Sequence, residues 1–254
     1  MSNMILLAKL YDRNQRKTVA NIIMSKLGGL KVHAEISNIT ERRWIQVSIS
    51  GDDENAARHF LANEIGLCPE NMDRIERNAI ITGRIIDLNK DRDRLFVDVG
   101  VFSPVMVDAA VPLSHLQAQL VDGKKIALKA VTKLFDFCED LPITIEISRI
   151  DKENQLLEGV LADKQLFQYQ TWIQSLLDRL IILGVSSREV EYAIKATGSA
   201  RDIVRTETLG LLEHVIECKL GTDAAGLIPR VGRILHSANF SVFSPRKIIQ
   251  FLNA

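Results

Sequence analysis

The sequence predicts an α+β protein of three consecutive units. These are a small α/β unit over residues 1–75, a small β-barrel over 76–160, and a helical segment leading into a second small α/β unit over 161–254. Three observations predict it. The first unit switches between strand-like and helix-like apolar periods in the order β-α-β-β-α. The middle stretch carries short apolar segments closed by turn residues, the pattern of a small barrel. From residue 162 the helical period takes over.

In the first unit, residues 4–11 are apolar and short enough for a buried strand. Val19, Ile22, Ile23 and Leu27 then fall at helical spacing, and Gly28-Gly29 ends that helix. Val32, Ala34 and Ile36 alternate with polar residues, as do Ile45, Val47 and Ile49. The polar residues 38–43 between them suit a hairpin. Gly51-Asp52-Asp53-Glu54 opens a second helix, with acids where the helix dipole favours them, and Gly66 closes it. This order is that of an RNP-like or ferredoxin-like half-sheet backed by two helices.

The barrel segment is expected to hold strands at 79–88, with a bend at Gly83, and at 95–99, 103–110, 126–134 and 143–150. A short helical turn is expected from Val111 to Ser114. In the last unit Leu166, Tyr169, Ile173, Leu176, Leu177, Leu180 and Ile181 read as one helical stripe ended by Gly184. Ser186-Ser187-Arg188-Glu189 is a capping box that opens the next helix. Residues 211–220 read as extended. A helix follows to about residue 236, then a strand at 240–243 and a helix at 246–252 with Pro245 at its start. No internal repeat is visible.

Composition excludes several classes. With 254 residues and 46% apolar content the chain can bury a core without a disulfide or metal. Cys68, Cys138 and Cys218 are odd in number and widely spaced, which fits free thiols in a reducing, cytoplasmic compartment. No apolar run is long enough to span a membrane, so no membrane partner is expected. The start lacks the basic segment of a secretory signal. Lys+Arg and Asp+Glu balance at 32 each, which excludes a globally basic nucleic-acid coat while leaving room for a local basic face.

The middle segment resembles the S1-like branch of the OB fold. The resemblance rests on Gly83-Arg84-Ile85, Leu95-Phe96-Val97-Asp98-Val99-Gly100, Val111-Pro112-Leu113-Ser114-His115-Leu116 and Asp122-Gly123, in that order and spacing. It implies a strand face that binds single-stranded RNA through aromatic and basic side chains, with Arg84 and Phe96 on it. Phe96 keeps one aromatic of that face. The earlier aromatic falls on Asp93, and the histidine two before the serine falls on Pro112. Residues 78–160 hold ten Lys+Arg against thirteen Asp+Glu, so Phe96 is expected to serve packing or a partner surface. The stretch from Glu213-His214 through Cys218-Lys219-Leu220-Gly221-Thr222-Asp223-Ala224-Ala225-Gly226-Leu227-Ile228-Pro229 resembles an uncharacterised archaeal protein family, which implies no activity. In layout, an RNP-like unit before an S1 barrel is similar to the stalk subunit of archaeal-type RNA polymerase. A barrel followed by helices and an α/β unit is similar to the alpha subunit of the initiator-tRNA-binding factor.

The charge pattern supplies the candidate sites. After Asp223 there is no acid, while Arg230, Arg233, Arg246 and Lys247 give +4 over 31 residues. Basic side chains in such a segment fit backbone phosphates. Arg42-Arg43-Trp44, at the hairpin tip, is a second candidate: an exposed Trp beside two Arg stacks on an unpaired base, the alternative being a buried Trp at the strand start. Gly221 and Gly226 have phosphate-loop spacing, but Leu227 and Ile228 stand where Lys and Ser/Thr are needed, so nucleotide hydrolysis is not expected. His214 and Cys218 lack two further metal ligands. Asp136, Glu139 and Asp140 read as a solvated or docking loop rather than an acid–base pair. No catalytic residues, metal or cofactor are therefore assigned. The sequence reads as a non-catalytic RNA-associated protein, acting on the translation apparatus or ribosome. The alternatives are a protein-docking module partnered with RNA polymerase or another protein, and an enzyme of unrecognised type.

Overall fold

The computed structural model describes residues 2–253. The first unit contains β1 (Ser2–Lys9), α1 (Arg16–Lys26), β2 (Val32–Ile39), β3 (Trp44–Gly51) and α2 (Glu54–Glu64), with antiparallel sheet order β1-β3-β2. Alternation aims Met4, Leu6, Ile45, Val47, Ile49 and Ile36 at one face, where Val19, Ile23, Ala57 and Leu61 of the two helices close over them. The opposite face has no helix. Beyond α2 the chain returns beside β1: the Leu7 amide donates to the Gly66 carbonyl (3.0 Å) and the Cys68 amide to that of Ile5 (2.9 Å). Residues 66–68 thus stand where a fourth strand would lie. β4 (Glu70–Asn71) then pairs parallel with the barrel and carries the chain into it.

The barrel comprises β5 (Ile80–Ile86), β6 (Arg94–Ser103), β7 (Val107–Pro112), β8 (Pro142–Asp151) and β9 (Leu156–Leu161), with α3 (Leu113–Leu120) and α4 (Leu128–Phe135) between β7 and β8. The ring runs β6-β5-β8-β9-β7 and closes through β6–β7, an OB-like arrangement whose β7–β9 contact is parallel. Ile85, Leu95, Val97, Val111, Ile143 and Ile145 fill it. Gly83 is required where β5 crosses β6: a Cβ there would lie 2.5 Å from Val97 Cγ1 and 2.6 Å from the Asp98 carbonyl oxygen. Two expectations are corrected here. Residues 126–134 are not a strand, because Leu128, Val131 and Phe135 at i, i+3 and i+7 form the buried face of α4. The fifth strand is β9 instead. In addition, Ser103 ends β6, and the third strand begins at Val107.

The last unit starts with α5 (Asp163–Ser175), then β10 (Arg179–Leu183), α6 (Ser187–Ala196), β11 (Ile203–Thr208), β12 (Glu213–Cys218), α7 (Ala224–Val231), β13 (Asn239–Phe243) and α8 (Pro245–Leu252). The antiparallel sheet order is β11-β12-β10-β13. The single helix expected from Leu166 to Ile181 is two elements. Leu176 takes a left-handed φ of 58° and ends α5, and the four apolar residues after Arg179 form a strand flanked by two others. Both faces of that strand are buried. Leu180 and Ile182 meet α6 and α7, while Ile181 and Leu183 join the barrel core. An aromatic cluster makes the joint: Phe243 stacks on Tyr169 (6.0 Å) and meets Trp172 edge-on (5.1 Å), with Phe135 of α4 beside them. The capping box stands as read, with the Ser186 amide donating to Glu189 Oε2 at 2.7 Å. No helix among the described residues is long and apolar enough to cross a membrane.

His214 and Cys218 share the helix-facing side of β12, inside this core, and burial pushes the Cys218 thiol up to about 11. His214 Nε2 donates to the Val185 carbonyl (3.0 Å), which leaves Nδ1 buried, unprotonated and without a partner. Burial lowers the imidazole pKa below its ordinary 6.5. The unfolded chain therefore takes up a proton that the folded chain refuses, and this histidine's contribution to stability is lost as pH falls below 6.5. Urea midpoints measured from pH 8 to pH 5 should show that decline, and His214→Gln, which keeps a donor and cannot titrate, should flatten it.

Candidate functional site

The outward side chains of the barrel strands meet the other two units in a buried ionic network. Lys9 sits inside an apolar strand, yet alternation turns it away from α1 and α2 and toward the barrel. Its Nζ lies 2.8 Å from Asp98 Oδ2 and 3.6 Å from Asp140 Oδ1, and 4.7 Å from the centre of the Trp44 ring. Asp98 also accepts from Trp44 Nε1 (3.0 Å) and from the Gly100 amide (3.0 Å). Arg42 pairs with Asp108, and Arg43 pairs with Asp140 and donates to the Leu10 carbonyl. On the far side, Arg84 bridges the Leu7 carbonyl (3.2 Å) of the first unit and Glu213 (3.2 Å) of the last. The Tyr11 hydroxyl donates to Glu213 Oε1 at 2.9 Å, and its pKa stands well above the ordinary 10 through burial and the Glu213 charge. Burial works against the Arg42 charge, but the Asp108 hydrogen bond and charge more than offset it and raise its pKa. Gly184 completes the joint: its φ is +88°, and a Cβ there would lie 2.9 Å from the Tyr11 ring.

This geometry corrects several readings. Trp44 is fully buried and offers no face for a base. Arg42 and Arg43 pair with Asp108 and Asp140, although the Arg43 side chain stays 43% exposed. Arg84 is 1% exposed and is a link between units, not part of an open barrel face. The carboxylates of the 136–140 segment are structural. Asp136 ends α4 in a left-handed conformation and accepts the Ser241 hydroxyl; burial raises its pKa despite that bond. Glu139 accepts from the Asp87 and Leu88 amides (3.1 and 2.9 Å), and Asp140 holds Lys9 and Arg43.

The basic C-terminal segment does not form one patch. Arg230 binds Asp202 (2.7 Å) and the Thr197 carbonyl (3.2 Å), tying α7 to the end of α6 and the start of β11. Arg233 is exposed after α7, on the side of the sheet that α7 covers, while Arg246 and Lys247 are exposed on α8, which packs against α4 and α5 on the other side. The Gly221–Gly226 turn is an ordinary helix entry, with Asp223 capping α7 through the Ala225 amide (3.0 Å).

Phe96 lies on the barrel face that the network leaves uncovered. It is half-buried, points away from the barrel core between the inward Leu95 and Val97, and faces Ile86 and Ala110 across the sheet. Lys90 Nζ lies 5.0 Å and Arg94 Cζ 5.8 Å from its ring centre. Sequence reasoning missed Lys9, Asp98, Asp108 and Glu213; the available signal was a charge set within an otherwise apolar strand.

Models of the DUF2110 N-terminal domain, the DUF2110 central domain and the DUF2110 C-terminal domain match residues 3–71, 75–173 and 177–243, and the chain belongs to the DUF2110 family. No curated protein matches it. Similar solved structures include an a/eIF2alpha–aDim2p–rRNA complex from Pyrococcus horikoshii OT3, at 10% identity and a TM-score of 0.26, covering 49% of this chain and 64% of that one. The intact alpha subunit of aIF2 from Pyrococcus abyssi is another, at 9% identity and a TM-score of 0.27, covering 66% of this chain and 96% of that one.

The network makes a quantitative prediction. Asp98→Ala leaves the Lys9 amine buried with Asp140 as its remaining partner, at 3.6 Å, and should cost about 3–5 kcal/mol in urea unfolding. The double variant Lys9→Met/Asp98→Leu, which removes both charges, should recover part of that loss.

Proposed function

We propose that the chain is a non-catalytic RNA-associated protein that acts on the translation apparatus and holds single-stranded RNA on the barrel face around Phe96. The observation that carries the reading is the Phe96 ring, outward on β6 and flanked by Lys90 and Arg94. An exposed aromatic face stacks an unpaired base irrespective of its identity, and cations beside it meet the phosphates. Lys90 and Arg94 already pair with Asp87 and Asp91 (3.0 Å each), but these are exposed i,i+3 pairs worth little and readily exchanged for phosphate. The order barrel, helix, α/β unit supports translation as the setting, through the layout likeness described from sequence.

One feature favours a second reading, a protein-docking module. Phe102, Pro104, Val105 and Met106 at the β6–β7 turn, with Ile5 of the open first sheet, line an apolar groove of about 620 Å³. Val105 and Met106 are 40% and 47% exposed.

Fluorescence anisotropy with a labelled oligouridine tests the leading reading. Phe96→Ala should weaken binding by about tenfold when compared where both proteins are folded, the half-buried ring also costing some stability in urea. Lys90→Ala/Arg94→Ala should lower the slope of log K against log salt by about 1.4. Unchanged affinity in both variants would exclude this face and favour the docking module.

A further inference from the structure

A second cleft runs along the seam between the three units, on the side of the barrel formed by β5 and β8. Its outer part, about 400 Å³, lies between the barrel, α5 and the edge strand β11. Its inner part, about 300 Å³, reaches the end of α2 and the loop before β12. Thr82, Lys164 and Leu209 line both parts, so the two are continuous. Together they have the size of a small-molecule site.

The lining is chemically specific. Phe167 stands on the outer rim at 70% exposure, unusual for a phenylalanine with no core to fill. Thr82 and Thr144 hydroxyls bond each other across the floor (3.0 Å). Gln165 Nε2 donates to Gln168 Oε1 (3.0 Å), which fixes the Gln168 carboxamide and leaves its NH₂ to donate elsewhere. Lys164 is exposed and forms no ion pair among the described residues. The inner part is walled by Arg84, a 1% exposed guanidinium already paired with Glu213. With Arg84 neutralised by Glu213, the cation left free is Lys164, which lies where the two parts meet and suits an anion. An exposed ring and an amide donor on the same lining suit a planar, polar heterocycle.

We infer that this cleft binds a nucleoside monophosphate unit, with the base against Phe167 and Gln168 and the phosphate at Lys164. The unit is either a free mononucleotide or one nucleotide of a single-stranded RNA. The second source rests on the RNA-associated reading above; the first does not. Lys26 on the inner rim is held by Glu64 (3.2 Å) and Arg205 on the outer rim by Glu207 and Glu217, so neither competes for the phosphate.

Trp172 forms one wall and reports occupancy through its fluorescence. The full chain is titrated with uridine and adenosine 5′-monophosphates and, separately, with a ten-nucleotide oligouridine. Lys164→Glu and Phe167→Ala change exposed residues and should leave folding intact. Each should weaken binding by about tenfold or more, and Lys164→Glu should also reduce the salt dependence. Phe96→Ala should leave mononucleotide binding unchanged, so failure at that face and failure here are told apart. Mononucleotide binding lost in both cleft variants supports the free ligand. Oligouridine binding alone, with the same sensitivity, supports an RNA segment. Binding insensitive to both variants, or no response to either probe up to about 1 mM, overturns the assignment.

Discussion

The Lys9–Asp98 pair is the contact on which the arrangement of this molecule turns. Both side chains are 2% exposed, and each is meaningful only if the first unit sits against the barrel. Undocked, the first unit would present a lysine in the middle of its open sheet face, and the barrel an aspartate in the middle of a strand face; both would be hydrated. Docked, each loses its water and gains the other, with Trp44 laid across the amine and bonded to the carboxylate. Such a pair contributes little net stability but penalises any other relative placement of the units, because a misplaced unit would bury one charge alone. Arg84 and Glu213 repeat the device between the barrel and the last unit. The two pairs lie on adjacent strands, since Arg84 and Asp98 are register partners. A single strip of barrel surface therefore positions both flanking units.

Much of the fold was legible because it is local. The alternation in β2 and β3, the capping box at Ser186, the turn glycines and the barrel spacing all follow from neighbours in the chain. The errors came where two periods compete. Leu128, Val131 and Phe135 carry a helical spacing that a search for a fifth strand passed over, and Gly159 in β9 weakens the alternation of the strand actually used. The stripe from Leu166 to Ile181 continued past Leu176 because leucine gives no warning of a left-handed turn. A strand with neighbours on both sides and buried faces shows no alternation, so Leu180–Leu183 could not be told from a helix by periodicity.

The site was less legible, for a different reason. Alternation places Arg84, Phe96 and Asp98 on the outside of the barrel, and that much is in the sequence. Whether an outside position faces water or another unit depends on docking, a long-range property that no local pattern encodes. Arg42-Arg43-Trp44 shows the same limit. Two cations and an indole at a hairpin tip suit RNA in isolation, and only the arrival of Asp108, Asp98 and Asp140 from the barrel makes them a joint instead. The two units that flank the barrel also share an order. The last is a complete β-α-β-β-α-β arrangement, and the first reproduces it as far as α2, with residues 66–68 beside β1 in place of the final strand. Burial requirements rather than residue identities preserve that pattern, so it leaves no visible sequence repeat.

The charge inventory then constrains how such a molecule can hold a polyanion. Acids and bases are equal in number, and the junction uses Lys9, Arg42, Arg43 and Arg84 against four carboxylates. Arg230, Arg205 and Arg179 are likewise held by acids of their own unit. The exposed cations left over include Arg233 on one side of the last sheet, Arg246 and Lys247 on the other, Lys125, Lys129 and Lys133 in and just before the α4 that packs against α8, and Lys90 and Arg94 at the first turn of the barrel. On the proposed readings, affinity at the barrel would come from short-range contacts at a single outward ring with one or two cations beside it. Phe96 with Lys90 and Arg94 is one such place and Phe167 with Lys164 another. They lie on different sides of the one barrel, which the buried network holds rigidly between its two neighbours. A ligand engaging both would have to follow the barrel surface. Single strands and unpaired loops bend that tightly, whereas a duplex, stiff over far longer lengths, does not.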